Sequence, residues 1–274
     1  MQDLYNSTYV NTQLDKFRNR HSNHWQYHIS LAKKLVADYA PPPPASLLDL
    51  GCSIGTFALE FALDGYDTIG LDFDAKALEQ GRELAKELGC RPKWVCGDAG
   101  AFSLRKKVDT IVCFDLLEHL DDNVIAKLLE CVSDSLKSGG TFVFHTFPTT
   151  LDHIFYKRFF TCLPLIPFRS LSKRNFEILV SWYAVFLDLF YLLRYGKTHK
   201  RVIAETVHPN PLSKKRLQCF IKDAGLDIIH FDMSLDSVNP LKLGQGVLAK
   251  KFFANQSVAL RSIWGVARKP IISR

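Results

Sequence analysis

The chain has 274 residues, 47% of them hydrophobic, and carries 35 lysines and arginines against 28 acids for a net charge of +7. That supply of apolar side chains excludes disorder along the whole chain, and the length suits one elaborated α/β domain. The basic residues come in small groups such as Arg105-Lys106-Lys107 and Lys214-Lys215-Arg216, so a solvated basic face is expected and no nucleic-acid partner.

Residues 1–22 are polar and aromatic. A helical stripe through Trp25, Ile29, Ala32, Leu35 and Val36 follows, and the proline run at 41–44 ends it. From Ser46 the pattern alternates. Apolar runs at 46–50, 67–72, 93–97, 108–114 and 140–147 read as strands, with amphipathic helices near 55–64, 75–88 and 122–136 between them. Strands and helices alternating at this spacing imply βαβ units and a parallel sheet. Ser138-Gly139-Gly140 reads as a helix stop before a new strand. Regularity breaks over 150–205, where an apolar stretch at 177–193 lies among aromatic and basic residues. The alternation returns with a helix capped by Ser213 and stopped at Gly225, a strand over 227–233, and a last strand around 260–269.

The seven cysteines form no CxxC pair and no Cys/His ligand spacing, which suggests a reducing compartment and no disulfide framework. The first residues lack the basic and apolar regions of a secretory signal, so a cytoplasmic location is expected.

The stretch "LLDLGCSIGTF" (47–57) ends an apolar strand in Asp49 and turns on Gly51 and Gly55. It misses the central glycine of a dinucleotide fingerprint and is not a P-loop, so it favours a nucleoside ligand without a pyrophosphate. The second strand ends at Asp72, about 20 residues on, where an acid can bind ribose hydroxyls. The third ends at Asp98, within reach of an adenine amino group. Asp49 and Asp72 can also serve simply as helix caps, and the Asp98 segment as an ordinary turn.

Together these residues resemble the class I S-adenosylmethionine-dependent methyltransferases. "LLDLGCSIGTF" is similar to the family's first motif with Ser53 in place of its middle glycine, and "GLDFD", "GDAGAF", "FDLLEHLDD" and "LKSGGTFVF" resemble the motifs at the next strands. The resemblance implies a Rossmann-like, doubly wound, seven-stranded, mostly parallel sheet. Residues 1–44 would form an N-terminal helical cap, 45–149 the cofactor-binding core, 150–205 a helical lid or interface insertion, and 206–274 the rest of the sheet. It implies S-adenosylmethionine as cofactor. Asp49, Gly51, Cys52 and Ser53 would hold its amino-acid end, with Gly55 permitting the turn. Asp72 would bind the ribose, Phe73, Asp98 and Ala99 the adenine, and Phe114, Asp115 and Leu116 the sulfonium end.

A general base is expected near the end of the fourth or fifth strand, with His119, His145 and Glu118 as catalytic candidates. Asp115, Glu118 and His119 also match, with Asp in place of Glu, a cation-binding arrangement of ubiquinone-type O-methyltransferases; no metal is assigned. Tyr9, Trp25 and Tyr27 of the N-terminal segment and His208 are the substrate-binding candidates. The apolar stretch at 177–193 is too short for a membrane span and leaves three readings: a lid, a homo-oligomer interface or a peripheral membrane helix flanked by Lys173, Arg174, Arg194 and Lys197. The expected activity is methyl transfer to a hydroxyl oxygen of a small, largely apolar or aromatic metabolite. The alternatives are transfer to the nitrogen of a small amine, or a non-catalytic binding module.

Overall fold

Short apolar runs that are buried on both faces form the centre of the protein, as parallel strands covered by helices must be. The computed structural model describes residues 7–21, 23–155, 161–199, 201, 209–234 and 251–271. Five parallel strands come first: β1 (Ser46–Leu50), β2 (Asp67–Asp72), β3 (Lys93–Cys96), β4 (Val108–Phe114) and β5 (Leu136–Thr146). After them β6 (Asp227–Ser234) and β7 (Ser262–Arg268) complete a seven-stranded sheet of order β3-β2-β1-β4-β5-β7-β6. β7 runs antiparallel to both its neighbours. The expected fold is present, and all seven anticipated strands are in the sheet. Because the chain leaves β3 and re-enters the sheet beside β1 as β4, the sheet opens a crevice outside the carboxyl ends of β1 and β4.

The helices are α1 (Ser7–Arg18), α2 (Asn23–Tyr39), α3 (Thr56–Leu63), α4 (Ala75–Leu88), α5 (Asp122–Ser135), α6 (Asp152–Phe155), α7 (Lys173–Tyr195) and α8 (Lys214–Asp223). The two-residue period of the strands sorts the core into two layers. Leu48, Ile111, Cys113, Phe142 and Phe144 pack against α5 and α8 through Leu128, Leu129, Leu217 and Ile221. Leu47, Val112, Val143 and Val266 pack on the other face against Ala32 and Val36 of α2 and Phe61 of α3. α1 closes over α3 and α4, where Val10 and Phe17 meet Ile54, Leu59 and Leu84.

Helix α1 lies in the polar and aromatic segment before residue 22, held by its apolar contacts. Two expectations need correction. The fifth strand begins at Leu136, not near Gly140, because α5 already stops at Ser135. Gly139 adopts φ +75° and the pairing with β4 shifts between Val108 and Thr110, so the glycines form an irregularity within the strand. Finally, α7 is 23 residues long, because Lys173, Arg174 and Arg194 belong to the helix. Ser172 caps it by accepting from the Asn175 amide at 3.3 Å, and Gly196 ends it at φ +69°. By length and composition it could cross a membrane.

Trp94 of β3 fills a socket made by glycines from three elements. A Cβ on Gly55, Gly70 or Gly81 would stand 2.3, 2.9 or 2.7 Å from its ring. In an exposed helix Gly→Ala stabilises by about 1 kcal/mol. At Gly81 the added methyl would also meet the Ile54 carbonyl oxygen at 2.8 Å. Overpacking of that kind costs about 1–3 kcal/mol and should outweigh the propensity gain. Gly81→Ala is therefore expected to lower the thermal midpoint, and Trp94→Phe in the same chain to recover part of the loss.

Candidate active site

The first acid of the glycine turn faces the protein. Asp49 is 2% exposed, and its Oδ2 accepts from the Ala58 amide at 2.8 Å, capping α3 from the neighbouring strand. Gly51, at φ +75°, lies so close to Leu116 that a Cβ would come within 2.7 Å of it. Cys52 is buried and its thiol is pushed well up by that burial, so it is not a nucleophile. Ser53 takes φ +52°, and its Oγ is buried with no hydrogen-bond partner among the described residues.

Asp72 ties the turn to the next βα unit. Its Oδ2 accepts from the Ser53 amide at 2.7 Å and its Oδ1 from the Asp74 amide at 2.9 Å. A carboxylate has about four lone-pair positions, so two amides leave acceptor capacity for ribose hydroxyls. Burial raises its pKa, and the amides oppose that shift. Next to it Phe73 is 48% exposed, offering a ring face. Asp98 is exposed and closes its own turn by accepting from the Gly100 amide at 2.8 Å, while Ala99 packs on the core.

Across the crevice, Phe114 is buried against Phe57 and Trp264, with centroids 4.4 and 5.8 Å away. Asp115 has φ +56°; with Ser53 it is one of two non-glycine residues in the left-handed region among those described. Such strain persists only where surrounding contacts impose it and gathers at functional sites. Here the contacts are with β5. The Asp115 amide donates to the His145 carbonyl at 3.1 Å, and its Oδ1 meets His145 Nδ1 at 2.5 Å. Burial alone would raise the Asp115 pKa, but the imidazole, by charge and hydrogen bond, holds it below the usual carboxylate range. His145 itself is 1% exposed, lies 4.0 Å from the Trp264 ring and 5.5 Å from that of His28, and its Nε2 has no hydrogen-bond partner among the described residues.

Glu118 differs from its neighbours. Fully buried, it accepts from the Thr146 hydroxyl at 2.8 Å, while its carbonyl accepts from the Asn210 amide at 3.0 Å. Burial, then the charge of Asp115, raises its pKa well above the ordinary value and so disfavours its ionised form. His119 is half-buried in the turn Leu117–His119, and its charge also acts on Asp115. Among the described residues, no group of three or more His, Cys, Asp or Glu could hold a metal ion. Tyr27 is 40% exposed beside His28 on α2. Tyr9 and Trp25 lie on α1 and α2, where their side chains are outside the described set, and His208 lies outside the described residues.

One sheet edge therefore gathers a glycine turn with a buried, unpartnered hydroxyl among the described residues, the acid at the end of β2, and a pair of half-buried Asp115 with buried His145. Residues 47–140 match the family described as a methyltransferase domain. The chain is 31% identical over 108 residues to the ubiquinone biosynthesis O-methyltransferase of Aliivibrio fischeri, covering 39% of this chain and 44% of that one. The chain thus spans less than half the length of that curated relative. Among solved structures it is similar to an S-adenosylmethionine-dependent methyltransferase from Methanosarcina mazei, with TM-score 0.57, 16% identity and coverage of 86% and 97%. It is also similar to the magnesium protoporphyrin IX methyltransferase of Synechocystis with bound SAH, with TM-score 0.56, 17% identity and coverage of 97% and 96%. At these identities the structural likeness shows the fold.

Three features of this edge of the sheet were not anticipated from the sequence: Trp94, the Asp115–His145 pair, and the Thr146–Glu118 bond. Glycines at 55, 70 and 81 on three elements were the only available sign of a large side chain between them.

Burial raises the Asp49 carboxyl to about 7, with the Ala58 amide pulling the other way. An unfolded aspartate titrates near about 3.9, so the folded state holds the extra proton between these values. Stability from this group is fully present below about pH 4 and is lost as pH rises through about 7, by at most about 4 kcal/mol. Asp49→Asn keeps an acceptor for Ala58 and has no proton to lose. Thermal unfolding of the cofactor-free protein should show the wild type weakening relative to this variant between about pH 5 and pH 7.5; parallel curves would contradict the assignment.

Proposed function

We propose that the protein transfers the methyl group of S-adenosylmethionine to a hydroxyl oxygen of a small, largely apolar or aromatic acceptor. The observation that carries the proposal is the Asp115–His145 pair beside the glycine turn, an oriented imidazole with one nitrogen left without a partner. The residues present fit the cofactor. The Ser53 hydroxyl is buried with no partner among the described residues, and Asp72 retains acceptor capacity.

In this reading Gly51, Cys52 and Ser53 line the amino-acid end, Asp72 binds the ribose hydroxyls, and Phe73, Asp98 and Ala99 meet the adenine. Phe114, Asp115 and Leu116 border the reacting end. When bound, the cofactor supplies an electrophilic methyl on a sulfonium, which leaves as a neutral thioether. The chain supplies the remainder. Asp115 stays ionised, accepts from His145 Nδ1 and so presents Nε2 as the acceptor of the hydroxyl proton. Aromatic walls from Phe57, Phe114 and Trp264 exclude water and suit a flat apolar acceptor. Glu118 positions the turn through Thr146 and Asn210 and takes no proton. The ubiquinone O-methyltransferase relative supports oxygen as the atom methylated.

Calorimetric titration should show S-adenosylmethionine binding, and Asp72→Ala should weaken it by about tenfold or more, as expected on losing charged hydrogen bonds. Unchanged affinity would remove Asp72 from the ribose site. With isotope-labelled donor and a panel of phenols, alcohols and amines, label should enter a hydroxylated aromatic. His145→Gln should lower that turnover by about 10²–10⁴ while leaving donor affinity intact. Turnover equal to wild type would rule out His145 as the base.

A further inference from the structure

The described fold leaves a long apolar surface open on one side of α7. Its inner stripe is anchored: Phe176 and Val180 are fully buried, Phe176 stacks on Phe253 at 5.5 Å, and the Tyr183 hydroxyl donates to the Thr161 carbonyl at 2.8 Å. The approach to the helix is fixed by Gln256, whose Nε2 donates to the Arg169 and Leu171 carbonyls at 2.8 and 2.9 Å. On the outer side, at helical spacing, Ile178, Trp182, Phe186, Leu189, Phe190 and Leu193 stand open. Trp182 is 72% exposed, Phe186 61% and Leu193 81%. A buried core helix would pass the same length and composition test for a membrane span, but these exposures show that α7 is not one. Soluble monomers rarely leave so long an apolar stripe in water.

The charges at its ends select the occupant. Lys173 and Arg174 lie in the first turn, which holds no acid, and there they oppose the helix dipole. Arg194 and Lys197 follow at the other end. Two cations at each end of an apolar stripe match acyl chains flanked by anionic headgroups, into which long basic side chains extend. A second copy of the same face would bring these cations towards one another in a chain already at +7. Spanning the bilayer would withdraw Phe176, Val180 and Tyr183 from the partners just described. We propose that α7 lies in the surface of a lipid bilayer bearing anionic headgroups, bound to the protein by its inner stripe and to lipid by its outer one. The proposal is independent of the methyl-transfer reading.

The test is flotation of the full chain with vesicles of phosphatidylcholine alone or with about one third phosphatidylglycerol, a composition that supplies the anionic surface. The chain should float with the anionic vesicles, and the fluorescence of Trp182, isolated by difference from Trp182→Phe, should shift to the blue. Phe186→Glu with Leu193→Glu, both at exposed positions, should reduce partitioning by about tenfold or more with the thermal midpoint unchanged. Absence from both vesicle fractions overturns the proposal. So does a concentration-dependent dimer that the same double variant dissolves, since a second copy would then cover the face.

Discussion

One carboxylate links two loops at the carboxyl edge of the sheet. Asp72, at the end of β2, holds the Ser53 amide with one oxygen and the Asp74 amide with the other. The first contact fixes the turn after β1, the second the entry to α4, whose first amides are capped in turn by Asp74. Two loops that share no sequence neighbourhood are thereby set against each other before any ligand arrives. Such preorganisation costs something: Asp72 is buried in a place that disfavours its charge, and the two amides compensate.

The opposite bank of the crevice is built from strain and pairing. Asp115 sits in a backbone region that aspartate enters less readily than glycine, held there by bonds to His145 through main chain and side chain. Three residues further on, Glu118 is bonded to the next residue of β5, Thr146. Two carboxyls of the same turn are thus shifted in opposite directions. The facing imidazole holds the Asp115 pKa down, and burial, then the charge of Asp115, drives that of Glu118 up. The division concentrates the negative charge of the turn on the carboxyl that faces the imidazole.

Much of this was visible in the residues before any coordinates. Apolar runs bounded by glycine and acid located β1, β2 and β4 to the residue, because central strands are buried on both faces and their ends are turns. The acids at 49, 72 and 98 are all at strand ends, but only the structure shows that Asp49 turns inward to cap α3 and that Asp98 closes its own turn. The register of β5 was obscured because a left-handed glycine can sit inside a strand as well as at its start. The length of α7 was underestimated because charged residues at helix ends look like flanks in a hydropathy pattern. The Trp94 socket and the Asp115–His145 pair are products of tertiary contact between different elements, where a single sequence carries little signal.

The inward turn of Asp49 makes the crevice floor a proton reservoir. A buried carboxyl titrating at about 7 is partly protonated in neutral solution. A cation brought close to this carboxyl would favour its ionised form and release part of a proton. The heat of such binding would depend on the buffer that takes up the proton, and the affinity would rise with pH across neutrality.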